Sequence, residues 1–261
     1  MNLSLLNKNA LVGGASAGIG RAVAIELAAL GANVTLVART ESTLQAALAD
    51  LDVSQGQRHS FLVADFDDSQ ILLTKVTGLL LKHPVHILVN NTGGPPGGPI
   101  VGAKPEDFLK AYHNHLICNQ LLAQAVLPGM KEAGYGRIVN IISTSVKEPL
   151  ENLGVSNTTR WAVASWAKTW ANEVGAFGIT VNNVLPGFTD TARLREIIEK
   201  RAAASGMTVE AVETLFKNQA PVRRFADAAE VAAAVAFLAS PAAGYINGIN
   251  MPVDGGRTKS L

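Results

Sequence analysis

Residues 13–20, GGASAGIG, have a spacing and a position that suit a phosphorylated ligand. They follow a short apolar stretch, NALVGG, and open a segment of helical periodicity. Gly14, Gly18 and Gly20 lack side chains, so the backbone can turn tightly and approach a pyrophosphate; Ser16 and Ile19 share the turn. The helix start behind it offers unpaired N–H groups and a partial positive charge. The next strand, VTLVARTE, ends in Ala38 and Arg39 rather than a carboxylate. A carboxylate there would hold a ribose 2′-hydroxyl and repel a 2′-phosphate, whereas Arg39 can pair with the phosphate. The pattern predicts NADP(H). Asp65, after the third strand, suits an adenine amino group.

Elements that could position these groups alternate along the whole chain. The strand-like segments are NALVGG, NVTLVA, SFLVAD, HILVN, RIVNII, ITVNNVL and INGINMPV. Between them lie the helical GIGRAVAIELAAL, ESTLQAALADL and SQILLTKVTGLLLK, a helix from about Pro105 to Lys131, another from about Val155 to Val174, and AAEVAAAVAFLA. Strands apolar on both faces that alternate with helices predict a parallel sheet covered on each side. With right-handed crossovers this is an α/β, doubly wound, Rossmann-like fold. It reads as one domain over residues 1–261 with a small lid insertion at about 188–224, an irregular stretch containing one polar helical segment. The loop GGPPGGP, residues 93–99, falls between a strand and its helix, where ligand loops belong.

Hydrophobic residues make up 48% of the 261, enough for one large core. A net charge of +1 and 5% aromatics give no basis for nucleic-acid or anionic-membrane binding. Cys118, the single cysteine, precludes an intramolecular disulfide and fits a reducing, cytoplasmic setting. It lies in the apolar HLICNQLLAQAVL and reads as packing. No apolar run reaches bilayer-spanning length, the N-terminus carries no leader pattern, and no residue is assigned to a metal.

Together the motifs resemble the short-chain dehydrogenase/reductase family over nearly the whole chain, and most closely its 3-oxoacyl-[acyl-carrier-protein] reductases. GGASAGIG stands for that family's Thr-Gly-x3-Gly-x-Gly, and NNTGG (90–94) for Asn-Asn-Ala-Gly. GRIVNIIS (136–143) matches the strand that ends in the catalytic serine, PGFTDT (186–191) the Pro-Gly motif, and NGINMPVDGG the last strand and tail. The resemblance implies that Gly14, Gly18 and Gly20 frame the pyrophosphate, and that Asn90 and Gly93 lie on the adenosine side. Pro186, Gly187 and Thr189 contact the nicotinamide half, and Ser143 hydrogen-bonds a substrate carbonyl. It also implies a homo-oligomer, dimer or tetramer, with Trp166 and Trp170 in core or interface packing.

The catalytic pair departs from the family. A tyrosine should follow the serine by about thirteen residues and a lysine should come four later; SNTTR places Ser156 and Arg160 there. His115 takes the place of the family's catalytic asparagine. A tyrosine with a reference pKa near 10 can be tuned toward working pH, whereas a serine hydroxyl is far less acidic. Arg160 can hold a cofactor ribose and supply positive charge without releasing a proton. Tyr112 and His115, three apart on one helix, share a face, and histidine titrates near neutrality, so His115 is a candidate proton relay. The reading is an NADP(H)-dependent oxidoreductase reducing a carbonyl, such as a 3-oxoacyl thioester, to an alcohol with a divergent active site. A non-catalytic NADP(H) sensor or structural partner stands beside it. Arg223 and Arg224 read as a surface pair, or as contacts for an acidic acyl carrier.

Overall fold

The computed structural model describes residues 1–260. Seven parallel strands form one sheet in the order β3-β2-β1-β4-β5-β6-β7. They are β1 (Asn9–Gly13), β2 (Asn33–Ala38), β3 (Ser60–Val63), β4 (Ile87–Asn90), β5 (Gly136–Ile141), β6 (Ile179–Pro186) and β7 (Asn250–Val253). The last strand is shorter than its apolar pattern predicts.

Side chains alternate across each strand, so one strand feeds two cores. In β1, Ala10 and Val12 join a cluster with Val23, Leu27, Leu44 and Val235. Leu11 faces the opposite layer, with Val76, Leu122, Val126 and Ala167. The first layer contains α1 (Gly18–Ala29), α2 (Glu41–Leu48) and a late helix, Ala228–Ala239. The second contains α3 (Ser69–Leu80), α4 (Pro105–Tyr112), α5 (Cys118–Glu132) and α6 (Gly154–Val174). A row of asparagines ties the strands beneath the site. Asn90 donates to Asn140 Oδ1, Asn140 to Asn183 Oδ1 and Asn183 to Asn250 Oδ1, each at 2.8 Å, along the register of β4 to β7.

Two predicted elements differ. The sequence predicts one helix over about 105–131, but a π-turn, His113–Ile117, separates α4 from α5. The stretch after Pro186 holds two helices, α7 (Ala192–Ser205) and α8 (Val209–Asn218), where one polar segment is predicted; the late helix is α9. Thr191 and Thr208 cap α7 and α8 by accepting from Leu194 N and Ala211 N. These helices enclose a small core of their own, with Phe188 stacked on Phe216 at 4.6 Å. Among the described residues, no helix is long and apolar enough to cross a membrane.

Candidate active site

The strand order reverses at β1, which pairs β2 on one side and β4 on the other; ligands of open α/β sheets bind at such a point. The loops after these two strands interlock there. Gly14 sits at φ +56°, and a Cβ on it would lie 2.8 Å from Asn91 Nδ2, which donates to Gly13 O at 3.1 Å. A Cβ on Gly20 would collide with the carbonyl of Gly14. Helix α1 begins behind Ala17 with no side-chain cap, so its first N–H groups are free for an anion.

A cleft of about 420 Å³ opens in front of this helix end, lined among others by Gly14, Ser16, Arg39, Asp65, Gly93 and His115. Ala38 is buried at the end of β2 and Arg39 is exposed at the rim. One carboxyl oxygen of Asp65 accepts from Asp67 N at 3.0 Å. Asp67 accepts from Asn114 at 2.6 Å and pairs with Lys110 at 2.9 Å, contacts that hold its carboxyl below the usual range. Lys110, Asn114 and Thr92 belong to the cleft and escaped sequence reasoning, because α4 is far from β3 in the chain.

The catalytic side of the site forms where β5 meets α6. Ser143 follows β5 with extended backbone, and its Oγ accepts from Ser145 N at 3.0 Å. That bond occupies a lone pair and leaves the hydroxyl proton free to donate. Helix α6 is fastened on both sides of this serine: Arg160 Nη1 donates to Ile141 O at 3.2 Å, and Trp161 Nε1 to Ser145 O at 2.8 Å. Ser156, one turn before Arg160 on the same face, is half-buried and makes no hydrogen bond among the described residues. Arg160 is 7% exposed, its Nε has no partner, and it forms no salt bridge among the described residues. Burial pulls its pKa down to about 10, so it stays cationic at neutral pH. A buried cation without a counter-ion is costly, and it fits a site completed by ligand oxygens.

The structure gives His115 surroundings that helical spacing alone does not show. The π-turn breaks the three- and four-residue spacing, so Tyr112 and His115 do not stack as on an α-helix. His115 is buried, with Nδ1 2.7 Å from Thr92 Oγ1. Burial first, and then the nearby charge of Arg160, lower its pKa to about 2. The ring is therefore neutral at working pH, with one N–H and one acceptor nitrogen rather than an imidazolium's two N–H groups. It offers the cleft a fixed hydrogen-bonding ring, and such π-turns are frequent at functional sites.

The remaining predicted residues are dispersed. Gly93 lines the cleft, but Asn90 is not among the lining residues, and its amide is committed to Asn140. Ile19 is half-buried against the main core. Pro186 ends β6, Gly187 packs against Asp254, and Thr189 Oγ1 donates to Gly187 O at 3.3 Å. A Cβ on Gly18 would touch the Thr191 methyl at 3.3 Å, which places the start of α7 over the glycine turn. The tryptophans divide: Trp166 and Trp170 both donate to Gln120 Oε1, at 2.7 and 2.9 Å, while Trp161 braces Ser145. Cys118 is buried, its Sγ donates to Phe66 O, and burial pushes its pKa up to about 11, so it is a packing thiol. Arg224 is paired with Glu230 and Arg223 with Asn218, as expected of surface groups.

The uncapped helix, the glycine cradle, the missing carboxylate at Ala38 and the buried Arg160, which lacks a counter-ion among the described residues, together fit a nicotinamide dinucleotide phosphate. The family model described as Enoyl-(Acyl carrier protein) reductase matches residues 14–258. A 3-oxoacyl-[acyl-carrier-protein] reductase, FabG, of Pseudomonas aeruginosa is 35% identical over 258 residues, covering 97% of this chain and 98% of that protein. Among solved structures, L-sorbose reductase from Gluconobacter frateurii, complexed with NADPH and L-sorbose, is 30% identical with a TM-score of 0.93, covering 100% of both chains. The actinorhodin polyketide ketoreductase with NADPH is 29% identical with a TM-score of 0.90, covering 97% of both. The chain belongs to the short-chain dehydrogenase/reductase family.

Proposed function

We propose that this protein is an NADPH-dependent carbonyl reductase whose active site runs on serine and arginine in place of the family's tyrosine and lysine. The observation that carries the reading is the buried guanidinium of Arg160, which has no counter-ion among the described residues, is anchored to Ile141 O at the end of the strand that leads to Ser143, and lies behind Gly94 of the cleft wall. Gly14, Ser16, the N-terminus of α1 and Arg39 would hold NADPH, which would supply hydride chemistry for a carbonyl carbon. Ser143 donates its free hydroxyl proton as a hydrogen bond to the carbonyl oxygen. Arg160 stabilises the negative charge that develops on that oxygen, in a setting where low dielectric strengthens the interaction. The alkoxide takes its proton from the Ser156 hydroxyl, which is replenished by water. His115, held neutral, shapes the cleft without entering the proton path.

A 3-oxoacyl thioester is one substrate this reading accommodates, since the FabG relatives carry that name. Helices α7 and α8 serve as the lid, with Thr191 at its hinge end. The half-exposed Trp166–Trp170 ridge, its ring centroids 5.9 Å apart, supports assembly as a dimer or tetramer. The single buried thiol suits a cytoplasmic setting.

The test is NADPH consumption by the native chain with a panel of ketones, alongside an NADPH fluorescence titration. Turnover that falls at least tenfold in Ser143→Ala supports the enzyme. Saturable binding without turnover, with activity appearing only in the double variant Ser156→Tyr, Arg160→Lys, would assign the chain to cofactor sensing instead.

A further inference from the structure

A second cavity, of about 190 Å³, adjoins the cofactor cleft and shares Pro95 and Pro96 with it. Its other walls include Pro99, Ala103 and Val155, together with glycine backbone. Val155 lies in the first turn of α6, the helix that also carries Ser156 and Arg160.

The walls are built rather than slack. Gly98 N donates to Asn152 O at 2.7 Å and Gly154 N to Gly98 O at 3.1 Å, stitching the proline loop to the start of α6. Position 154 must be glycine, because a Cβ there would lie 2.6 Å from Ile100 Cα. From the lid, Arg193 Nη2 donates to Pro95 O at 3.2 Å and ties α7 to the same loop. Proline rings have a fixed φ and little freedom to lose on binding.

The lining chemistry is selective. Asp107 is its one charged side chain, and no basic group is present to receive an acid. Asp107 Oδ2 accepts from Lys104 N at 3.0 Å, capping α4. The size is also selective: an apolar cavity of about 150 Å³ takes a benzene ring. The space admits a ring-sized group.

We propose that this cavity seats an uncharged, ring-sized apolar group attached to the substrate carbonyl. This rests on the carbonyl-reductase reading above. It narrows the substrate to compact ketones with a cyclic or branched substituent.

Two methyl ketones of equal carbon number, cyclohexyl methyl ketone and 2-octanone, provide the test with the native chain and NADPH. The ring ketone is expected to show at least about tenfold higher kcat/KM, the scale on which apolar pockets discriminate by shape. Saturation-transfer NMR should show the cyclohexyl protons in contact with protein methyl groups. Ala103→Leu, which fills the cavity, should abolish both the preference and the contact while leaving NADPH affinity within twofold. Val155→Phe is the second filling variant, with NADPH affinity reporting its fold. Equal rates for the two ketones, or a preference that survives both variants, would overturn the assignment. If neither ketone is reduced but the NMR contact exists and disappears in Ala103→Leu, the subsite stands and the reductase reading fails.

Discussion

Replacing His115 with asparagine isolates the electrostatics of the site. In the native chain the imidazole is buried, and its pKa is lowered from 6.5 to about 2 by that burial and then by Arg160. In the unfolded chain it returns to about 6.5. Between these values the unfolded state binds a proton that the folded state refuses. Stability therefore rises with pH across this window and is lost as pH falls, by about 1.4 kcal/mol per pH unit. From pH 6 to pH 4 the loss due to this one ring is roughly 2–3 kcal/mol, a large share of the 5–15 kcal/mol typical of a domain. Asparagine has no such titration. Urea unfolding of the native chain and His115→Asn at pH 4, 5 and 6 should give stability curves that converge toward acid by about that amount, whatever their offset at pH 6. In the native chain the His115 Cε1 proton should show no NMR titration above pH 5, and kcat/KM should have no His115-dependent limb near pH 6.5. Parallel curves, or a titration midpoint near 6, would refute the neutral-ring account and restore His115 as a candidate relay.

Three further outcomes test the rest of the site. Arg160→Met should weaken NADPH binding about 10- to 100-fold, the scale of hydrogen bonds from a charged donor, in a fluorescence titration. The apo melting temperature should change little, because losing the bond to Ile141 O is offset by removing a buried charge with no counter-ion. Arg39→Glu should reduce NADPH affinity at least about tenfold and leave NADH affinity intact or improved, since the new carboxylate repels a 2′-phosphate and can hold a 2′-hydroxyl; equal losses for both cofactors would contradict the rim role. Gly154→Ala should cost about 1–3 kcal/mol in denaturant unfolding, as the added methyl forces the proline loop off α6. A variant as stable as the native chain would show that this wall yields.

Much of the molecule was legible along the chain because local chemistry repeats. Doubly apolar strands and intervening amphipathic helices specify a covered parallel sheet, and all seven strands lie where their patterns place them. The glycine turn was equally readable, since tight backbone approach leaves glycine as the residue that fits. The identities of Ser156 and Arg160 were visible at their spacing, and with them the departure from the family's tyrosine and lysine.

What tertiary structure decided was environment. Nothing in HNH at 113–115 announces a π-turn, which depends on how α4 and α5 are held by their neighbours. Burial in that turn, and then the charge of Arg160 from α6, hold His115 neutral well below the usual imidazole range. Likewise, Arg160 is a common charged residue in the sequence, and only packing buries it without a counter-ion, tied to the backbone of β5. The sequence determines which groups exist and how they repeat. Burial, and the distances between groups remote in the chain, set their pKa values, so charge state is a property of the folded molecule.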